Sequence, residues 1–114
     1  MKDCLFCKII NKEIQTNIVY EDDRLLAFND INPQAPIHLL IIPKLHISTL
    51  NHIGLEHKSL IGEMVLLASK LAKDFDISDN GYRTNFNCNS HGGQTVFHIH
   101  LHLLGGRKFH WPPG

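Results

Sequence analysis

No stretch of this 114-residue chain stays apolar long enough to cross a bilayer as a helix, so a membrane enzyme is not expected. The opening MKDCLFCKIINKEI interrupts its short apolar run with charges and lacks a small-residue cleavage pattern. That argues against a secretory signal and for a cytoplasmic location. Basic tracts are missing too: Lys plus Arg number 11, Asp plus Glu number 11, and the formal charge is zero. A nucleic-acid polymer is therefore not an expected partner, because grip on such a backbone comes from many phosphate contacts. Cysteine is scarce and odd in number, three, which argues against a disulfide-stapled fold and for a reducing compartment. Internal repeats and low-complexity tracts are absent, and the length suits one domain, residues 1–114. A domain this small would gain from a second copy that covers an apolar face.

What the chain does have is pattern. Leu60, Met64, Leu67, Leu71 and Phe75 recur at three- and four-residue intervals, which predicts a helix from Glu56 to Asp74. A short helix or turn is expected over Cys4–Ile10, with Leu5, Ile9 and Ile10 inward. Residues 18–20 and 25–28 read as strands joined by a polar hairpin turn, and HLLII at 38–42 reads as a buried strand. Two prolines make residues 29–36 an extended loop. Further strands are expected over 82–87 and 96–103. Helices and strands mix without a regular βαβ repeat, so the expected class is α+β with an antiparallel sheet.

Nine histidines are the compositional oddity. In VFHIHLHLL, alternate side chains leave a strand on opposite faces, so Phe97, Ile99, Leu101 and Leu103 would enter the core while His98, His100 and His102 share the other face. Crowded imidazoles repel each other's charge, which favours neutral rings, and a neutral, oriented imidazole is what a nucleophile or base requires. Alternating strand histidines also supply zinc ligands, so phosphate chemistry and metal binding both stand as readings. The adjoining Gly92-Gly93-Gln94-Thr95 offers amide and hydroxyl donors for phosphate oxygens. No Asp/Glu cluster suited to two-metal phosphoryl chemistry lies near it, and no cofactor is expected to be required for catalysis.

FCKIINKEI at 6–14, NDINPQAPIHLLIIPKLHI at 29–47, GYR at 81–83, HGGQTVFHIHLHLLGGR at 91–107 and the terminal WPPG form an ordered set. Across nearly the whole chain this set resembles the histidine triad family, in particular its small purine nucleoside phosphoramidate hydrolases. The resemblance implies a histidine triad fold, with a five-stranded antiparallel sheet, one main helix packed on it, and the sheet continued across a homodimer. It puts His100 in the nucleophile's place, attacking an α-phosphorus, displacing an amine and forming a nucleotidyl-histidine that water resolves. His102 and His38 would contact phosphate, and Thr95 would stand near the leaving group. Asn87, Gly93, Gln94 and Thr95 match the phosphate loop, Asp30 the ribose contact, and Phe28 and Ile31 the base pocket. On composition alone, Phe28 reads equally as core and Asp30 as a turn cap. The implied substrates are purine nucleotides and phosphoramidates, with aminoacyl adenylates related to them.

Cys88-Asn89 departs from the pattern of many relatives, which carry a small glycine soon after the Asn87 position. His91 receives no role. Some members hold structural zinc through residues matching Cys4, Cys7, His46 and His98; two reduced cysteines packed beside a helix are the other reading. A nucleotide-binding protein with little turnover, a dinucleoside polyphosphate hydrolase and a zinc-stabilised interaction module are the competing functions, and WPPG with the short chain favours the phosphoramidate branch. Trp111 in that tail is expected either to reach the partner's site or to lie exposed.

Overall fold

Aliphatic strands buried on both faces form the centre of one sheet, and more exposed strands form its edges. In the computed structural model these are β1 (Ile18–Glu21), β2 (Leu25–Asn29), β3 (Ile37–Pro43), β4 (Tyr82–Phe86) and β5 (Leu101–Gly105), all antiparallel, in the order β1-β2-β3-β5-β4. Residues 3–114 are described; residues 1 and 2, part of the expected domain and of the reading of the chain's start, lie outside them. Helix α1 spans Leu5–Ile10, and α2 spans Lys58–Asp74 after a short 3-10 turn at Leu55–His57. The helix expected from Glu56 thus begins two residues later, its first turn being tightened.

Alternation along the strands assigns the layers. Leu39 and Ile41 of β3 and Leu101 and Leu103 of β5 meet Leu60, Met64, Leu67 and Leu71 of α2. Each such side chain, fully buried, contributes roughly 1.5–3 kcal/mol. Leu40 and Ile42 point the other way and join Leu26, Phe28, Phe6 and Ile9. The sheet is therefore covered on its second face by α1. That six-residue helix is too short to persist alone. Cys4 caps it, its sulfur accepting from the Cys7 amide at 3.4 Å, and Phe6 and Ile9 anchor it. Phe6 is its deep residue, whereas Leu5, expected inward, is more than a third exposed.

The hairpin at 21–24 is closed as expected, Asp22 accepting from the Arg24 and Leu25 amides at 2.8 Å each. The last strand is a correction. Its predicted span of 96–103 becomes Leu101–Gly105, because pairing with β3 and β4 begins only at Ile41, Phe86 and Leu101. Upstream, the Ile99 amide donates to the Ile47 carbonyl at 2.8 Å instead of to a strand. The chain bends at residues 96–98, and Phe97, expected in the core, is 49% exposed. Among the described residues no helix is long and apolar enough to cross a membrane.

Candidate active site

The register of β3 against β5 places His38 opposite Leu104 and His102 opposite Leu40, so the two rings meet on the α1 face. His38 Nε2 and His102 Nδ1 are 2.9 Å apart. The Gln34 amide donates to His38 Nδ1 at 3.0 Å, which puts the neutral His38 proton on Nε2, from where it donates to His102 Nδ1. His102 must then carry its own proton on Nε2, and that buried N–H has no partner among the described residues. Asp30 Oδ2 lies 3.4 Å from His38 Nε2, while Asp30 Oδ1 accepts from the Asn32 amide at 2.9 Å and caps the loop. Burial holds His38 below the ordinary histidine range against the pull of Asp30. Burial, followed by neighbouring His100 and His38, pushes His102 down to about 4. Asp30, His38 and His102 are close enough to suggest a cation site. The tautomer argues otherwise, since His38 has no lone pair left at Nε2.

His100 is oriented from the opposite end. Its Nδ1–H donates to the His98 carbonyl at 2.7 Å, leaving the Nε2 lone pair free. Burial lowers its proton affinity as well. Its ring packs against His102 at 4.9 Å and edge-on against Phe6 at 5.0 Å. His100 and His102 line a cavity of about 280 Å³ together with Phe28, Asp30, Ile31, Leu40, Thr95 and Val96 from the sheet side and loops, and Leu5, Phe6 and Ile9 from α1.

Directly behind His100 lies a second cluster. His98 Nε2–H donates to the Pro43 carbonyl at 2.7 Å, so its Nδ1 lone pair faces Cys4 Sγ at 3.3 Å, Cys7 Sγ at 3.6 Å and His46 Nδ1 at 3.1 Å. Cys7 Sγ is 3.4 Å from His46 Nδ1, and all four donor atoms fall within 4.8 Å of one another. A tetrahedral zinc with two thiolates and two imidazoles would separate sulfur from nitrogen by roughly 3.5 Å and the two nitrogens by roughly 3.3 Å. The donor set fits such an ion, and the Pro43 carbonyl is the outer partner that a ligating histidine needs. Burial first, then the neighbouring His46 and His100, holds His98 down at about 4.

A chain with this sheet has known counterparts. Residues 3–110 match the family model described as "Scavenger mRNA decapping enzyme C-term binding". Over 106 residues, 93% of this chain and 89% of the other, the chain is 51% identical to a protein of Escherichia coli K12 named purine nucleoside phosphoramidase. The fold superposes on a HIT family hydrolase from Legionella pneumophila with a TM-score of 0.97 at 55% identity, covering 98% of this chain and all of that one. The chain belongs to the histidine triad family. It is an enzyme, a hydrolase of that family. A histidine triad protein from Clostridium difficile gives a TM-score of 0.92 at 45% identity, with 96% and 95% of the two chains covered.

Within the histidine triad frame, the expected residues divide into those that share the cavity and those that support it. Phe28, Asp30, Ile31, Thr95, His100 and His102 line it, with Ile31 at an open rim and 92% exposed. His38 stands behind His102. Gln94 lies inward and is fully engaged: its Oε1 accepts from the Asn89 amide at 2.9 Å, and its Nε2 donates to the Ser48 and Val96 carbonyls at 2.8 and 3.1 Å. Its side chain therefore shapes the loop. Asn87 Oδ1 accepts from Asn85 Nδ2 at 3.0 Å. Gly93 has φ +78°, and a Cβ on Gly92 would stand 2.6 Å from the Cys88 carbonyl oxygen, so this loop needs both glycines. Asn89, at the departure from the common pattern, has φ +59°, a conformation that asparagine tolerates better than most residues. Sequence reading missed Leu5, Phe6 and Ile9 of α1 as cavity residues, along with Leu40 of β3, Val96 and residues 14–16; for the first three the signal was the apolar face of α1, whose target only the fold reveals. Trp111 is 82% exposed.

Proposed function

We propose that this enzyme hydrolyses purine nucleoside phosphoramidates, releasing a nucleoside monophosphate and an amine, with aminoacyl adenylates as related substrates. The name of the Escherichia coli relative supports the substrate class. The observation that carries the chemistry is the pair of opposed tautomers: His100 offers a lone pair at Nε2, and beside it His102 offers an unpartnered N–H. A nucleophile and a donor for the developing phosphoryl charge are the two groups the reaction needs.

His100 Nε2 forms a bond to the α-phosphorus as the P–N bond breaks, and the departing amine takes a proton from solvent, relayed by the Thr95 hydroxyl beside it. Water then cleaves the nucleotidyl-histidine and restores the imidazole. His102 donates to a phosphoryl oxygen, and His38 holds His102 in the donor tautomer. Asp30 receives ribose hydroxyl hydrogens, while Phe28 and Ile31 flank the base; Asn87, Gly93 and the loop shaped by Gln94 complete the phosphate side. Catalysis requires no cofactor in this scheme, and Cys4, Cys7, His46 and His98 hold structural zinc. The working form is a cytoplasmic homodimer with the sheet continued across its interface and Trp111 reaching the partner's site.

The test is turnover of adenosine phosphoramidate, with AMP release and protein-bound nucleotide, trapped in alkaline denaturant, followed together. Wild-type protein should give both. His100→Ala should give neither, with a rate loss of at least about 10³-fold. Unchanged turnover in that variant would remove His100 from the nucleophile's role.

A further inference from the structure

The four donors of the thiol and imidazole cluster come from three segments, and each segment also contacts His100 or the residues that flank it. Cys4 and Cys7 flank Phe6 on α1. The buried Phe6 ring lies 5.9 Å from His98 and 5.0 Å from His100, edge-on to both. His46 precedes Ile47 and Ser48, whose carbonyls accept from the Ile99 amide and the Gln94 side chain. His98 gives a ring nitrogen to the cluster and its backbone carbonyl to His100.

The contact through the His98 carbonyl matters because it lies outside the sheet. β5 begins at Leu101, so no ladder hydrogen bond fixes the carbonyl of His98. The peptide unit that carries it is held by the Ile99 amide, which donates to the Ile47 carbonyl at 2.8 Å beside His46, and by the His98 side chain. One ring nitrogen is tied to Pro43, and the other ends at the cluster. The fully buried ring is packed edge-on against Phe6 and His46, and ligation of its second nitrogen adds a fixed point opposite Pro43.

On the reading of His100 as nucleophile, we propose that Cys4, Cys7, His46 and His98 form a positioning device for it when they hold a zinc-type divalent cation. Ligation holds the His98 ring at both nitrogens and thereby keeps its carbonyl in place to accept from His100 Nδ1. The nucleophile is thus maintained as the tautomer with its lone pair on Nε2. Phe6, carried between the two thiols, blocks the alternative ring position. These are positioning residues, and their effect should fall on kcat. Substrate affinity should change little, because Phe28, Asp30 and His102 are placed by β2, the start of the 30–36 loop and β5.

His46 is the residue to change, since it is partly exposed and lies outside the catalytic cavity. Wild-type protein, His46→Ala and His46→Cys are each given one equivalent of zinc. Bound metal, the ring ¹⁵N resonances of His100 in the absence of substrate, and turnover of adenosine phosphoramidate are then measured. His46→Ala should lose zinc and shift His100 from one tautomer to an average of two. Its kcat should fall about 10- to 100-fold while KM stays within about threefold, as for loss of an outer orienting partner. His46→Cys preserves a four-ligand set and should restore metal, spectrum and kcat. Folded, zinc-free His46→Ala with a wild-type His100 spectrum would overturn the proposal, as would wild-type protein that binds no zinc. If His46→Ala does not fold, the same spectrum compared in wild-type protein with and without chelator decides the matter. Absence of phosphoramidate turnover in wild-type protein would defeat the proposed activity alone, because the tautomer is read without substrate.

Discussion

His102 sits inside the β-ladder, opposite Leu40 and Asn85, whereas His98 and His100 precede the first paired residue of β5. The consequences differ in kind. Backbone pairing on both sides sets where the His102 ring stands, and one side-chain bond to His38 then selects its tautomer. His98 and His100 have no such frame. Their rings are set by carbonyl contacts to Pro43 and His98, by Phe6 and by the Cys4, Cys7 and His46 cluster. One row of imidazoles thus contains a member positioned by secondary structure and two positioned by tertiary contacts.

That contrast can be broken or sharpened by substitution. His102→Ala should leave the sheet intact and lower kcat by roughly 10²–10³, the effect of removing one transition-state donor. A variant that retained wild-type kcat in steady-state assays would take His102 out of the chemistry. His38→Ala removes the bond that fixes the His102 tautomer, and about a tenfold fall in kcat is expected, consistent with loss of an orienting partner. His102 ring ¹⁵N spectra should show the tautomer mixing.

The loop half depends on Gln94 as well. Gln94→Ala strands the Ser48 and Val96 carbonyls and the Asn89 amide, with a cost of about 1–3 kcal/mol if water does not replace the side chain. Calorimetry should show a melting midpoint lower by roughly 4–15 °C. A pH dependence is shared by both halves. A histidine in the unfolded chain titrates near 6.5, but His102 in the fold resists protonation until about 4. Between those values the unfolded state holds more protons, so stability declines as pH falls through that window and levels off below it. Melts of wild type and His102→Ala from pH 7.5 to 4 should show a shallower decline in the variant.

Much of the architecture was legible because it depends on local pattern. The α2 stripe of Leu60, Met64, Leu67 and Leu71 found the sheet as its spacing required, and β2 and β3 fell within a residue or two of their expected ends. The cavity residues Phe28, Asp30, Thr95, His100 and His102 were likewise expected together. The errors gather at residues 96–100. Alternation there reads as a strand, yet a strand also needs a partner, and at Ile99 the available carbonyl is that of Ile47, in a loop. Gln94 shows the same limit. Its amide matches the phosphate loop, but whether it faces a ligand or the protein depends on Ser48, 46 positions away.

The sequence by itself determined the residue types on each face, the helix and strand periods, and the presence of the histidines, the loop amide and hydroxyl groups and four metal-type ligands in order. Tertiary structure alone decided which nitrogen of each imidazole carries the proton. Tautomers follow from hydrogen bonds to Gln34, Pro43 and the His98 carbonyl, and those bonds exist only after distant segments have packed against one another.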